Sequence, residues 1–182
     1  SGNRLLSIIN DILDISLIES GQMLIACEEL YLNGLIEDLK LEFTNRAESL
    51  RNIEFKAHHP LSNGQDLVFS DAGKIHQVYS KLLDNALKFT ESGVIDFGYH
   101  IQDQEYLKCF VKDTGIGIPE ESQKVIFDRF RQVDMGLSRN YDGLGLGLAI
   151  AKGLVNQLGG TLHFESQLGL GSTFTFLLPI HP

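Results

Sequence analysis

The chain has 182 residues, 43% of them hydrophobic, and its 24 acidic against 15 basic side chains give a net charge of −9. That length supports one full core with room for a small appendage, and the acidic balance argues against a nucleic-acid backbone as partner. Cys27 and Cys109 lack disulfide-like or metal-like spacing and both sit among apolar neighbours, so both are expected to be buried thiols in a reducing, cytoplasmic compartment; no apolar run approaches the ~18 residues of a membrane span, and no secretory pattern is visible.

Residues 3–19 read as a helix with two apolar stripes, Leu5, Ile8, Ile12 and Ile15 on one, Leu6, Ile9 and Leu13 on the next. A helix apolar on two faces needs more than one neighbour, which predicts a helix taken from a bundle and ended by Ser20-Gly21. Residues 24–30 are expected to form a strand, residues 32–50 a helix carrying Leu35, Ile36, Leu39 and Phe43, and residues 53–57 a strand of period two. After a short strand at 67–69, Asp71 is placed to cap a helix whose Ile75, Val78, Leu82, Leu83, Ala86 and Phe89 form a core stripe ending near Gly93. Residues 94–101 and 106–112 read as neighbouring strands, with Leu107, Cys109 and Val111 sharing a face. A helix is expected from about Pro119. Residues 131–143 have no periodicity and hold Gly136, Ser138, Asn140 and Asp142, which predicts a mobile loop. A helix then runs to Leu158, Gly159-Gly160 stops it, and 161–166 with 172–178 form a closing hairpin. The expected fold is α/β: a two-layer sandwich of helices on one face of a mixed β-sheet, preceded by one bundle helix.

Two glycine-rich segments carry the chemistry, Asp113-Thr114-Gly115-Ile116-Gly117-Ile118-Pro119 and Gly143-Leu144-Gly145-Leu146-Gly147-Leu148. Repeated glycines let backbone approach a ligand closely and expose N–H groups to anions. Asp113 offers a carboxylate to a base amino group, and the second segment opens an apolar helix whose N-terminus attracts phosphate. Neither segment has the Lys-Ser/Thr of a P-loop or the spacing of a dinucleotide fingerprint. On the helix after Asp71, Lys81, Asn85 and Lys88 fall at i, i+4 and i+7, one face suited to a triphosphate. Asn85 adds a neutral oxygen for Mg2+.

Asn85-Ala86-Leu87-Lys88-Phe89-Thr90, Asp113 to Pro119, Phe127-Asp128-Arg129-Phe130, Gly143 to Ile150 and Gly171-Ser172-Thr173-Phe174, in that order and spacing, resemble the ATP-binding domain of sensor histidine kinases over nearly the whole chain. The resemblance implies the Bergerat ATP-binding fold over residues 23–182. Residues 1–22, with Asp11-Ile12-Leu13-Asp14-Ile15-Ser16, are similar to the second helix of that family's dimerisation hairpin. It also implies roles. Asp113 would bind the adenine amino group above Gly115 and Gly117, Asn85 would hold Mg2+, and Lys88 and Arg139 would contact phosphates. Phe127 and Phe130 would anchor a lid, Gly143, Gly145 and Gly147 would bring backbone to the phosphates, and Thr173 would join the nucleotide site. The implied partners are ATP, the parent's phosphoacceptor hairpin in a homodimer and a response-regulator receiver domain, with a membrane reached only through a parent segment.

The chain departs from the family pattern at Lys81, where a second asparagine is common, at Leu144 and at Asp142. A protonated Lys81 attracts phosphate but cannot ligate a metal. These departures support one alternative, a degenerate nucleotide-binding regulatory module. A second, an ATP hydrolase of the same superfamily, needs a glutamate general base where Lys81 stands. The family phosphorylates a histidine followed by an acidic residue, and none of the six histidines, His58, His59, His76, His100, His163 and His181, has that context. The expectation is that the acceptor lies upstream and that this chain alone does not phosphorylate itself.

Overall fold

A computed structural model describes residues 2–47, 52–132 and 144–180. Its elements in order are α1 (Gly2–Ser20), β1 (Glu28–Tyr31), α2 (Leu32–Ala47), β2 (Ile53–His58), β3 (Leu67–Ser70), α3 (Ala72–Phe89), β4 (Gly93–Gln102), β5 (Tyr106–Asp113), α4 (Glu120–Gln123), α5 (Gly147–Gln157), β6 (Thr161–Gln167) and β7 (Gly171–Pro179). Five strands form a mixed sheet in the order β2-β4-β5-β7-β6, with β2 parallel to β4 and the other pairs antiparallel. α2, α3 and α5 pack on its inner face. β1 and β3 form a separate antiparallel pair.

The inner face follows from strand alternation. Ile95, Phe97 and Tyr99 of β4, Leu107, Cys109 and Val111 of β5, and Phe174, Phe176 and Leu178 of β7 are all buried against the helices. α3 lies across them with Ile75, Val78, Tyr79, Leu82, Leu83 and Ala86. Two buried tyrosines satisfy their hydroxyls across layers: Tyr79 donates to the Gly98 carbonyl at 2.6 Å and Tyr99 to Asn33 Oδ1 at 2.6 Å.

Three expectations are corrected. The first strand is confined to Glu28–Tyr31, because its strand partner among the described residues is the four-residue β3. The helix after Pro119 is a single turn, Glu120–Gln123, followed by turns to Phe130. Cys27 is exposed in the irregular run before β1, whereas Cys109 is buried, its thiol pushed up to about 12 by desolvation. α1 meets the core only through its C-terminal end. Ile15 and Ile18 pack on the core, while Leu5, Leu6, Ile9, Ile12 and Leu13 remain exposed. At the α1–α5 contact Ile18 sits where a side chain on Gly153 would go, its Cγ2 only 2.8 Å from the position a Cβ would take.

Asp71 caps α3 as its position predicts, accepting from the Lys74 N–H at 3.0 Å through Oδ1. Its Oδ2 accepts from the Ala26 N–H at 2.8 Å, so one buried carboxylate fixes both the helix start and the incoming chain. Losing the cap and leaving Ala26 unpaired should together cost about 2 kcal/mol. Asp71→Ala is therefore expected to lower Tm by roughly 4–8 °C in a thermal melt followed by circular dichroism.

Candidate functional site

β5 ends at Asp113, on the same inward-facing alternation as Leu107, Cys109 and Val111, which carries a carboxylate to the rim of the core. Asp113 pairs in register with Ile95 of β4 and Ser172 of β7. Its Oδ1 accepts from the Gly115 N–H at 2.9 Å. Burial raises its pKa above the usual carboxylate value, and the N–H groups of Gly115 and Ser172 offset part of that rise.

The loop beyond Asp113 is pinned at both sides. The Ile116 N–H donates to the Phe89 carbonyl at 3.1 Å, and the Gly169 N–H donates to the Ile116 carbonyl at 2.7 Å. A Cβ on Gly115 would lie 2.2 Å from the Phe89 oxygen, and one on Gly117, at φ +70°, 2.1 Å from the Gln167 oxygen. Only glycine allows the loop to lie this close to α3 and to the β6–β7 turn. The same place holds Thr90, whose buried Oγ1 has no hydrogen-bond partner among the described residues. A Cβ on Gly115 would sit 2.8 Å from this hydroxyl and 2.9 Å from Asp113 Oδ1. A buried orphan hydroxyl beside a desolvated carboxylate is a polar demand that the fold alone leaves unmet, and it fits an edge-polar ligand such as a purine.

On α3, Asn85, one turn back from Phe89, and Lys88, next to it, are half-buried. Lys88 Nζ lies 5.2 Å from the Phe89 ring centroid, and desolvation lowers its pKa below the usual lysine value. Among the described residues no three His, Cys, Asp or Glu side chains converge on one point. A hard cation here would rest on Asn85 and on ligand and water oxygens, a set that suits Mg2+.

α5 begins at Gly147 behind Leu146, whose apolar side chain makes no cap hydrogen bond to the first N–H groups. Gly145, at φ +69°, lets this turn lie against the Arg131 backbone, where a Cβ would come within 2.5 Å of the Arg131 oxygen. Gly143, Arg139, Asp142 and most of the predicted loop at 131–143 lie outside the described residues.

The structure separates several residues that spacing had grouped. Thr173 is next to Ser172 in the motif but pairs with Lys112 and lies on the opposite, outer face of the sheet with His100 and Thr175. Strand alternation puts Ser172 beside Asp113 and takes Thr173 away from it. Phe127 is wedged against Phe164 and Phe174, with centroids at 5.7 and 6.5 Å and Lys152 over its ring. Phe130 is 66% exposed with left-handed backbone, so it makes no comparable anchor among the described residues. Lys81 pairs with Asp11 of α1. The residues missed by sequence reasoning are Thr90 and Ser172. Both stand inside quoted motifs, and only the register and burial single them out.

A family model described as "Histidine kinase-, DNA gyrase B-, and HSP90-like ATPase" matches residues 70–182. The circadian input-output histidine kinase CikA of Synechococcus elongatus is 38% identical over 179 residues, covering 98% of this chain and 24% of that protein. The signal transduction histidine-protein kinase BarA of Escherichia coli is 36% identical over 180 residues, 97% of this chain and 19% of that protein. The chain thus spans about a quarter or less of these curated relatives. Among solved structures, full-length ShkA in complex with AMPPNP superposes with a TM-score of 0.83 at 29% identity, over 98% of this chain and 36% of that one. The catalytic domain of histidine kinase ThkA gives a TM-score of 0.69 at 27% identity, over 86% of this chain and 99% of that one.

A raised folded pKa makes ionised Asp113 a cost to the fold. That cost is absent below the ordinary carboxylate value of about 3.9. It grows as pH rises from there to the raised folded value and is complete above it. Asp113→Asn keeps an acceptor for the Gly115 N–H and removes the charge. It is expected to raise the Tm of the unliganded protein near neutral pH, with the gain shrinking as melts are repeated toward about pH 4.

Proposed function

Because this chain belongs to the family of histidine kinase-, DNA gyrase B- and HSP90-like ATPases, we propose that it is the ATP-binding catalytic domain of a cytoplasmic part of a two-component sensor histidine kinase. The observation that carries this reading is the fixed relation of two groups. Asp113, a desolvated carboxylate at the end of β5, leads into a loop hydrogen-bonded to the last turn of the helix that bears Asn85. A base amino group bound at Asp113 leaves the rest of a nucleotide to extend back along α3 past Asn85 toward Lys81 and the start of α5.

In this reading Asp113 accepts a hydrogen bond from the adenine amino group, and Gly115 and Gly117 keep the loop close enough for the base. Asn85 supplies an amide oxygen to Mg2+, which neutralises phosphate charge when bound. Lys88, whose burial disfavours its charged form, gains from a phosphate partner what it lacks in solvation. Gly145 and Gly147 present backbone at the N-terminus of α5, where N–H groups favour phosphate oxygens. Positioning and charge are what phosphoryl transfer asks of a protein. The bond between the β,γ-bridging oxygen and the γ-phosphorus breaks to leave ADP, and a P–N bond forms on a histidine imidazole of the parent's hairpin. Residues 1–22 would be the second helix of that hairpin and residues 23–182 the catalytic domain. A homodimer would bring the pieces together, and a receiver domain would take the phosphoryl group onward. No described helix is long and apolar enough to cross a membrane. A hydrolase would need a general base four residues before Asn85, and Lys81, paired with Asp11, stands there.

ATP with Mg2+ at about 100 times Kd is expected to stabilise the protein by about 2.7 kcal/mol, a Tm rise of roughly 5–11 °C. Asp113→Asn should remove most binding of both ATP and adenosine. Asn85→Ala should remove the Mg2+ dependence and spare adenosine. Calorimetric titration of the three proteins checks this, and equal loss of ATP and adenosine in Asn85→Ala would show that the metal lies elsewhere. Incubation of the chain alone with γ-labelled ATP should leave no acid-labile label, since none of its histidines stands before an acidic residue.

A further inference from the structure

Lys81 occupies a junction. Its stem passes the start of α5, with Cδ 4.0 Å from where a Cβ on Gly147 would lie. Asn85 is one turn further along the same helix. Its ammonium meets Asp11 on α1 in a pair whose side chains are only 17% and 20% exposed. One turn earlier on α3, Gln77 donates to Asp14 at 2.5 Å. These contacts matter because apolar docking of α1 is confined to its C-terminal end, at Ile15 and Ile18, backed by an Arg129–Glu19 pair. Its N-terminal half carries exposed Leu5, Leu6 and Ile9 and faces α3 across an open cleft of about 470 Å3 lined by Asn10, Asp11, Asp14, Gln77, Ser80 and Lys81. The angle at which α1 leaves the domain therefore depends on the Asp11–Lys81 and Asp14–Gln77 contacts.

We propose that Lys81 is a positioning residue shared between α1 and the nucleotide, its ammonium held by Asp11 in the arrangement described and by the terminal phosphates when a triphosphate is seated over Asn85. The inference rests on the nucleotide-site reading above. Lysine is a flexible point charge whose donors rotate freely, so its partner can change without any backbone movement. The cleft admits water to the pair, which lets it open. A triphosphate brings several negative charges within a turn of Lys81 and also faces the carboxylates of Asp11 and Asp14, and like charges at that range repel. The triphosphate and the Asp11 contact thus compete for one cation, and ATP loosens the N-terminal half of α1. Linkage makes the effect reciprocal: loosening α1 strengthens ATP binding by the same factor. Adenosine, with no phosphates, takes no part in the exchange.

The test combines hydrogen exchange of α1 with titrations of ATP and adenosine in the presence of Mg2+. In the unaltered chain, ATP is expected to speed amide exchange over residues 5–14 and adenosine is not. Asp11→Asn should bind ATP roughly fivefold or more tighter, a typical coupling between sites, with adenosine affinity unchanged and α1 exchange already fast. Lys81→Met should weaken ATP relative to adenosine and abolish the effect of ATP on α1. The proposal is overturned if ATP protects α1 or leaves its exchange unchanged, or if Asp11→Asn binds ATP no more tightly. Absence of any ATP binding to the unaltered chain would overturn the nucleotide reading and this inference with it, whereas binding without a change in α1 exchange overturns this inference alone.

Discussion

The hydrogen bond from Ile116 N–H to the Phe89 carbonyl joins the two halves on which everything else depends. It ties the loop that follows β5 to the last turn of α3, and so fixes a buried carboxylate relative to a half-buried amide. α3 can serve as the reference because it cannot shift: six of its side chains fill the core, and Asp71 clamps its first turn. The glycines are consequences of that bond. A side chain at 115 would strike the very carbonyl the loop must reach.

This arrangement places unmet polar demand at one spot. Asp113 is a carboxyl whose charged form burial disfavours, Thr90 holds a hydroxyl without a partner among the described residues, and Leu146 gives α5 no side-chain cap. Each costs the fold some stability by itself, and each is the kind of group a nucleotide would satisfy. Their clustering around one helix, against a core otherwise closely paired, reflects the usual opposition between binding and stability. The two ends of the proposed site differ in kind: Asp113 stands among strand ends and glycine turns, while Asn85 lies one turn from Lys81, which is paired with Asp11 of α1.

Much of the fold was legible because its signals are local. Period two gave β4 and β5 with Leu107, Cys109 and Val111 on one face, and the apolar stripe with Asp71 in front gave α3 and its first residue, though its end falls at Phe89 and not near Gly93. What was illegible depends on pairing across the chain. Thr173 and Ser172 are equivalent in a motif, and only the register Asp113↔Ser172 decides which of them faces the carboxylate. Lys81 fits a phosphate-facing row with Asn85 and Lys88 by spacing alone, yet its partner lies 70 residues away on α1. Phe127 and Phe130 share one short motif, but the left-handed backbone at Phe130 sends its ring outward. Cys27 looked apolar by its neighbours and is exposed because the chain before β1 forms no strand.

The central claim is that the metal and the phosphates lie over the C-terminal end of α3, at Asn85 and Lys88, with the base at Asp113. Replacing Mg2+ by Mn2+ with ATP and following paramagnetic broadening of amide and side-chain signals tests it directly. Broadening should centre on Asn85, extend to Lys88, Gly145 and Gly147, and spare the β1–β3 pair. Broadening centred instead on the acidic cleft at Asp11 and Asp14, or spread evenly over the acidic surface, would contradict the account.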